Sequence, residues 1–379
     1  MRNTSIKFDF DDMLIVPKIT DITSRYKDIK IPLMLPLFTA PMDTVVDLNN
    51  MDVFMDNKIN VTLPRTITYE EFKYYIRNRN FAEYSKVFVS FGFEELDRLY
   101  KDNFKILCEG QHILIDVANG HMRKIVDYCK EIKRLRPDIV IMVGNIGNPE
   151  AYWWYAQNDC VDYVRVGIGN GNGCLTTKQS GVGYPKASLI QETYEQKQRF
   201  IKFNSSDRKN DDSLLRVTPE EQIVLNQPPV KLIPAIVADG GMKDYSDIIK
   251  AFALGADFVM VGSIFNKALE SCADNYIFGI RVSKKIAKYL FRMGFPIKKY
   301  FRGMSTKEAQ KAMGKTRFKT SEGVTRFRKV EYQLHGWVEN FEHYLRNAMS
   351  YADAKTLNDF IGKVDICQIT KNAYDRFNK

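Results

Sequence analysis

The chain has 379 residues, 45% of them hydrophobic and 27% charged, which is ordinary globular usage and excludes a disordered or collagen-like polymer. The 56 basic and 46 acidic side chains leave a formal charge of +10, a field that favours anionic partners without choosing among nucleotides, nucleic acid and acidic surfaces. Basic residues are interleaved with acidic ones, as in Lys130-Glu131-Ile132-Lys133-Arg134, so a nucleic-acid partner is not the favoured reading. No apolar run approaches the roughly 18 residues needed to span a bilayer, and no apolar segment follows Met1. The expectation is a soluble, cytoplasmic chain with no membrane partner. Six scattered cysteines with no C-x-x-C pair argue against a disulfide framework and a zinc ribbon.

In chain order, short apolar, β-branched or aromatic runs occur at 31–38, 59–63, 86–90, 113–117, 139–143, 163–166, 234–238 and 257–261. Between them lie stretches such as 122–135 and 245–254, with apolar residues three and four apart and charges between. Buried parallel strands alternating eight times with amphipathic helices predict an α/β fold, a closed (β/α)8 TIM barrel formed by one domain over 1–379. The competing reading is an open doubly wound sheet. It requires a glycine-rich turn after an early strand, and Thr39-Ala40-Pro41-Met42 contains no glycine. Residues 191–230 form a long insertion between strands six and seven, with a polar centre at 204–213. It is read either as an inert surface excursion or as a lid or subunit contact.

In such a barrel, function resides just past the C-terminal ends of the strands. That rule selects Asp43, Asp116 to Gly120, Gly144-Asn145, the loop 167–177, Asp239-Gly240-Gly241 and Gly262-Ser263. Glycines after strands seven and eight suit a phosphate, although an ordinary turn would use Gly262-Ser263 equally well. The loop Gly167-Ile168-Gly169-Asn170-Gly171-Asn172-Gly173-Cys174-Leu175-Thr176-Thr177 places four glycines at alternate positions, letting backbone groups approach a ligand or ion. Cys174 is a candidate nucleophile there, the bland alternative being a cysteine chosen for its size. Thr176 could assist proton movement only with a carboxylate behind it, and Glu322 is available, though no spacing joins the two.

These stretches carry a resemblance. Val166-Gly167-Ile168-Gly169, Cys174-Leu175-Thr176 and Gly181-Val182-Gly183-Tyr184-Pro185 together resemble the catalytic loop of the IMP dehydrogenase / GMP reductase family. Ala40-Pro41-Met42-Asp43-Thr44, Ile115-Asp116-Val117-Ala118-Asn119-Gly120, Gly303-Met304-Ser305 and Ser321-Glu322-Gly323 resemble the reductase branch, and no regulatory insertion separates strands two and three.

The resemblance implies reductive deamination of a guanine nucleotide monophosphate by NADPH through a covalent adduct on Cys174, with Thr176 and Glu322 handling the proton of the departing amine. It implies that Asp239 binds ribose, that Gly241, Gly262 and Ser263 cradle phosphate, that Gly303, Met304 and Ser305 contact the purine and that Lys319 lies on the substrate side. Asp116, Asn119 and Gly120 then lie near the nicotinamide, and backbone groups of Gly169, Gly171 and Cys174 are candidates for a monovalent cation such as K+. The region 298–335 becomes a flap over the active site, and a homotetramer is expected. The chain departs from the family at Asn172, where a serine is usual, at Lys319 in place of arginine, around Leu63-Pro64-Arg65 where a histidine is expected, and in the length of 191–230. Two other readings remain: an IMP dehydrogenase without regulatory domains, and a catalytically silent member that binds nucleotide or nucleic acid.

Overall fold

The computed structural model describes residues 6–171, 175–206, 232–314 and 323–377. Eight parallel strands form one sheet: β1 Leu37–Thr39, β2 Thr62–Leu63, β3 Phe88–Phe91, β4 His112–Asp116, β5 Val140–Ile146, β6 Tyr163–Val166, β7 Ala235–Asp239 and β8 Phe258–Val261. Each strand pairs in parallel with its sequence neighbour from β2 to β8, and β1 pairs with β8. The ring closes through Asn60, whose N–H donates to Leu37 O at 2.9 Å while its carbonyl accepts from Thr39 N at 2.9 Å. The expected (β/α)8 barrel is therefore the fold.

The first strand begins later than its apolar run suggests. Residues 31–36 carry Pro32 and Pro36, which donate no backbone hydrogen bond, so regular pairing starts at Leu37. The helices expected at 122–135 and 245–254 are Arg123–Leu135 and Tyr245–Ala253. Residues 186–206 form one helix, Lys186–Ser206, so the first part of the 191–230 segment continues the helix after β6; its remainder, 207–230, lies outside the described residues. That helix packs on Glu150–Gln157 through Trp153 and Phe200, whose rings are 5.3 Å apart, edge to face.

Alternation along the strands sorts the barrel interior by height. On β4 the inward positions are His112, Leu114 and Asp116; on β6, Tyr163 and Arg165; on β7, Val237 and Asp239; on β8, Phe258 and Met260. Read upward, each inward stripe passes from aromatic or aliphatic residues to charge or glycine. The lower interior is an aromatic plug, with Phe38 5.4 Å from Phe88 and 5.2 Å from Phe258, and Tyr163 5.5 Å from both Phe88 and Phe258. Phe38, Phe88, Leu114, Met142, Val237 and Met260 are all buried.

After β8 comes a small antiparallel sheet of β9 Asn275–Ile277, β10 Ile280–Val282, β11 Lys298–Arg302 and β12 Thr325–Lys329, in the order β10-β9-β11-β12. Its strands supply the base of the region read as a flap. A separate pair, Met13–Ile15 with Ile366–Gln368, joins the two ends of the chain. Phe88→Ala should destabilise the protein by about 3–5 kcal/mol, the usual cost of truncating a buried aromatic side chain. Urea denaturation of the variant beside wild type measures it, and a loss under about 1 kcal/mol would mean the plug is loosely packed.

Candidate functional site

The mouth of the barrel is organised around a charge that a buried strand has no other reason to carry. Arg165, 5% exposed, points inward from β6 and donates from Nη1 to Asp116 Oδ1 at 2.7 Å and from Nη2 to Asp239 Oδ2 at 2.8 Å. One guanidinium thus ties the ends of β4 and β7. Asn145, beyond Gly144 on β5, adds Nδ2 hydrogen bonds to the same Asp239 oxygen at 2.7 Å and to Gly167 O at 2.8 Å. Burial by itself would raise the Asp239 carboxyl, but Arg165, then Lys186 and the Asn145 hydrogen bond, hold it below the usual carboxylate range. Burial likewise opposes the Arg165 charge, and Asp239 and Asp116 outweigh it, so the guanidinium is held more firmly protonated than usual.

Lys186 is the second buried cation, at the start of its long helix. Its Nζ donates to Asp239 O at 2.5 Å and to Val166 O, so the ammonium sits between the two strand ends that flank the glycine-rich loop. Burial brings its pKa down to about 8, with the Asp239 carboxylate acting in the opposite direction.

The glycine-rich loop rests on the turn after β7. A methyl group added at Gly240 would lie 3.3 Å from Gly171 Cα, and one at Gly241 would lie 3.3 Å from Asn170 Cβ. Both glycines also have positive φ, +75° and +90°, so close approach and conformation both demand glycine there. Gly169 has φ +83°. Asn170 Nδ2 donates to Tyr184 O at 3.0 Å, and Thr177 Oγ1 to Val182 O at 2.8 Å, which folds the Gly181-Val182-Gly183-Tyr184 return against the loop. Thr176 opens the short helix Thr176–Ser180, with Ser180 Oγ donating to its carbonyl at 2.6 Å. Arg165 Nε and Asn170 Oδ1 are buried and have no hydrogen-bond partner among the described residues, so the mouth offers a donor and an acceptor to a bound molecule.

The other expected residues lie around this centre. Asn119 stands exposed on the β4 loop, where its Oδ1 accepts from His121 N at 3.1 Å and meets His121 Nδ1 at 2.9 Å. Since Gly147 N donates to His121 Nε2 at 3.2 Å, the ring proton belongs on Nδ1. Gly120 is buried and its N–H donates to Asn145 O at 2.8 Å. Gly262 and Ser263 follow β8; a methyl group added at Gly262 would lie 2.9 Å from Met42 Sδ and 3.1 Å from Ala40 Cβ. Gly303 to Ser305 form the turn after β11, closed by Thr306 N donating to Gly303 O at 3.2 Å, while Gly303 N donates to Val324 O at 3.1 Å and extends the pairing with β12. Arg302, just before that turn, grips Asp43 with Nε at 3.1 Å and with Nη2, anchoring the small sheet to the end of β1. Asn172, Cys174, Lys319 and Glu322 lie outside the described residues.

Sequence reasoning singled out Asp116, Asn145 and Asp239 but missed the two cations beside them, Arg165 and Lys186. For Arg165 a signal existed. It stands at an inward position of a buried parallel strand, two residues before Gly167, where an unpaired charge would be prohibitively costly.

Two outcomes follow. Arg165→Leu leaves the partly buried Asp116 and Asp239, 23% and 13% exposed, without the guanidinium between them and should cost about 3 kcal/mol in a denaturation experiment; a neutral result would mean the carboxylates find water instead. For Lys186, the native state releases its proton at about 8 whereas an unfolded lysine retains it to 10.5. Between those values the unfolded chain binds the extra proton, so this residue's contribution to stability rises with pH. The stability of wild type minus that of Lys186→Met should therefore grow as pH rises from 8 toward 10, and a flat difference would refute the assignment.

A family model described as IMP dehydrogenase / GMP reductase domain matches residues 92–205 and 230–376, well over half the chain. Among curated relatives, the GMP reductase of Caenorhabditis elegans is 25% identical over 98% of this chain and 94% of its own length. The GMP reductase of Buchnera aphidicola subsp. Acyrthosiphon pisum (strain Tuc7) is 27% identical over 98% and 97%, and that of Vibrio campbellii 25% identical over 99% and 98%.

Proposed function

Because the chain belongs to the IMP dehydrogenase / GMP reductase family, we propose that it is a GMP reductase-like oxidoreductase that removes the 2-amino group of GMP, or of a related deoxy or modified guanine nucleotide, to give IMP. The observation that carries this reading is the seating of the glycine-rich loop on Gly240-Gly241, directly above the Arg165 and Asp239 pair. It brings the chemically distinctive loop of β6 against the turn after β7, whose Asp239 and Gly241 are proposed below for ribose and phosphate.

In the proposed reaction the Cys174 thiolate adds to C2 of the purine. The carbon–nitrogen bond to the 2-amino group then breaks, and the nitrogen leaves as ammonia after taking a proton. Thr176, with Glu322 behind it, delivers that proton, without which the departing group is too basic an anion to expel near neutral pH. NADPH, when bound, supplies the hydride that replaces sulfur at C2 and regenerates the thiolate. Asp116, Asn119 and Gly120 are the groups proposed to face the nicotinamide; the donor at Arg165 Nε and the exposed amide of Asn119 suit a polar ring substituent. Asp239 is proposed to orient the ribose hydroxyls, with its charge kept by Arg165. Gly241, Gly262 and Ser263 would hold the phosphate. Gly303, Met304, Ser305 and Lys319 would line the substrate from the flap, 298–335.

Backbone oxygens of Gly169, Gly171 and Cys174 are proposed as the donors for a monovalent cation such as K+, a homotetramer as the assembly, and a single barrel as the domain plan. Among the described residues no helix is long and apolar enough to cross a membrane.

Cys174→Ala should abolish NADPH-dependent ammonia release from GMP while nucleotide binding persists. Glu322→Gln should slow release about 10^2- to 10^4-fold, the usual worth of a positioned proton donor. Full activity in the Cys174 variant would end the covalent route.

A further inference from the structure

The excess positive charge of the chain is concentrated in one stretch. Residues 275–307 hold nine of the 56 basic side chains and none of the 46 acidic ones, so the rest of the sequence is almost neutral. Three of the nine serve the fold: Lys299 is buried and donates to Ser271 O at 2.6 Å, Arg302 holds Asp43, and Arg281 pairs with Asp274 at 2.6 Å. Lys284, Lys285, Lys288 and Arg292 stand exposed on the helix Lys284–Arg292, and among the described residues none of them is in an ion pair. Lys284 and Lys285 lie in the first turn, at the positive end of the helix dipole, where an acidic side chain would stabilise the helix and a lysine does not.

Apolar side chains stand among these charges. The helix packs inward through Ala287, Leu290 and Phe291 against Leu269, Ile297 and Val330. Its next stripe, Ile286, Tyr289 and Met293, is spaced three and four residues apart and is 50%, 65% and 57% exposed. Just before the helix, β9 and β10 form a hairpin in which Ile277 faces Ile280 across the two-residue turn Phe278-Gly279. Both turn residues have positive φ, 47° and 85°, a geometry that favours Asn-Gly. A bulky ring in the left-handed region is strained. Because the Phe278 ring is 82% exposed, packing offsets little of that strain.

Folding explains neither the unpaired lysines nor the strained, exposed phenylalanine, and a contiguous apolar surface ringed by charge marks a site of contact. What it contacts must be anionic and apolar together. A second copy of this chain does not suit, because a two-fold contact would set the positive face against itself. Nucleic acid would satisfy the lysines but offers no apolar phase for Phe278, Ile280, Ile286 and Met293 to enter. An anionic bilayer supplies both, with charged headgroups at the height of the lysines and the acyl boundary directly beneath. A convex hairpin tip also fits a fluid surface that closes around it. Such attachment uses only the interfacial layer and needs no spanning helix.

We propose that the hairpin tip at Phe278-Gly279 and the helix Lys284–Arg292 form a docking surface for an anionic lipid bilayer, to which the protein attaches peripherally and reversibly. The attachment is independent of the reaction proposed above.

Flotation of the full-length wild-type protein with lipid vesicles tests it. Vesicles of phosphatidylcholine with about 30% phosphatidylserine should carry the protein upward, and vesicles of phosphatidylcholine alone should not. Binding should weaken as salt is raised from about 0.1 M to about 0.5 M and the charges are screened. Replacing two lysines together, Lys285→Gln with Lys288→Gln, should weaken it about 25-fold, about fivefold for each charge removed. Phe278→Asn should weaken it about tenfold at unchanged charge, and asparagine suits the left-handed turn, so folding is not at stake. Failure of wild type to bind the anionic vesicles, or equal binding by wild type and both variants, would overturn the proposal. RNA binding that disappears in the lysine variant, without any vesicle binding, would reassign the face to nucleic acid. A wild-type oligomer that dissociates in Phe278→Asn would reassign it to a contact between copies, and either result would sink the bilayer reading.

Discussion

The Arg165 guanidinium, between Asp116 and Asp239, is the contact on which the rest of the mouth depends. Three loops take their positions from it, because Asp239 begins the turn under the glycine-rich loop, Asp116 begins the Asn119-Gly120 turn, and Asn145 shares an Asp239 oxygen with the arginine. A buried ion pair stabilises little when its desolvation is counted, yet losing one member is severe. The cluster manages this by balance: two cations, Arg165 and Lys186, face two carboxylates, Asp116 and Asp239. Each charge is met by another or by a carbonyl. The result is a polar platform at the top of a barrel whose lower interior is mainly apolar and aromatic, with His112 packed against Phe88 at its base.

That vertical division explains how one interior serves two ends. The plug of Phe38, Phe88, Tyr163 and Phe258 buries large rings in edge-to-face and tilted contacts and contributes to stability through area removed from water. Above it the same inward stripes end in Asp116, Arg165 and Asp239. The small antiparallel sheet is tied to this platform at a distance, since Arg302 grips Asp43 at the end of β1 and Arg328 reaches the Ser263 carbonyl after β8. These two attachments are charged and lie at the rim, whereas the barrel's own cohesion is apolar and lies below.

Much of this was legible from the residues alone. Seven of the eight strands coincide closely with apolar runs, because a parallel strand covered on both faces has no polar stripe to obscure it. The first run extended too far, since Pro32 and Pro36 deny the pairing that its composition suggested. The short strands β9 and β10 were not read, being three residues each and, in β10, largely exposed. In the site, the barrel rule found the loops but not their supports. Arg165 lies 49 and 74 residues from its two partners, and sequence distance of that size hides an ion pair unless the inward register of the strand is followed residue by residue. Cys174 and Glu322 owe their proposed roles to the resemblance, because neither spacing nor periodicity connects them.

Lys186 has one more implication. Many loops rich in carbonyl oxygens are steadied by a dissolved ion that exchanges with the surroundings, so their order follows the composition of the medium. Here a covalently tethered ammonium occupies the notch between Val166 and Asp239, and it can be neither washed out nor swapped for a different metal. At Val166 and Asp239 the footing of the glycine-rich segment is therefore written into the polypeptide itself, whereas the cation proposed for Gly169, Gly171 and Cys174 farther along the loop would still come and go with the medium.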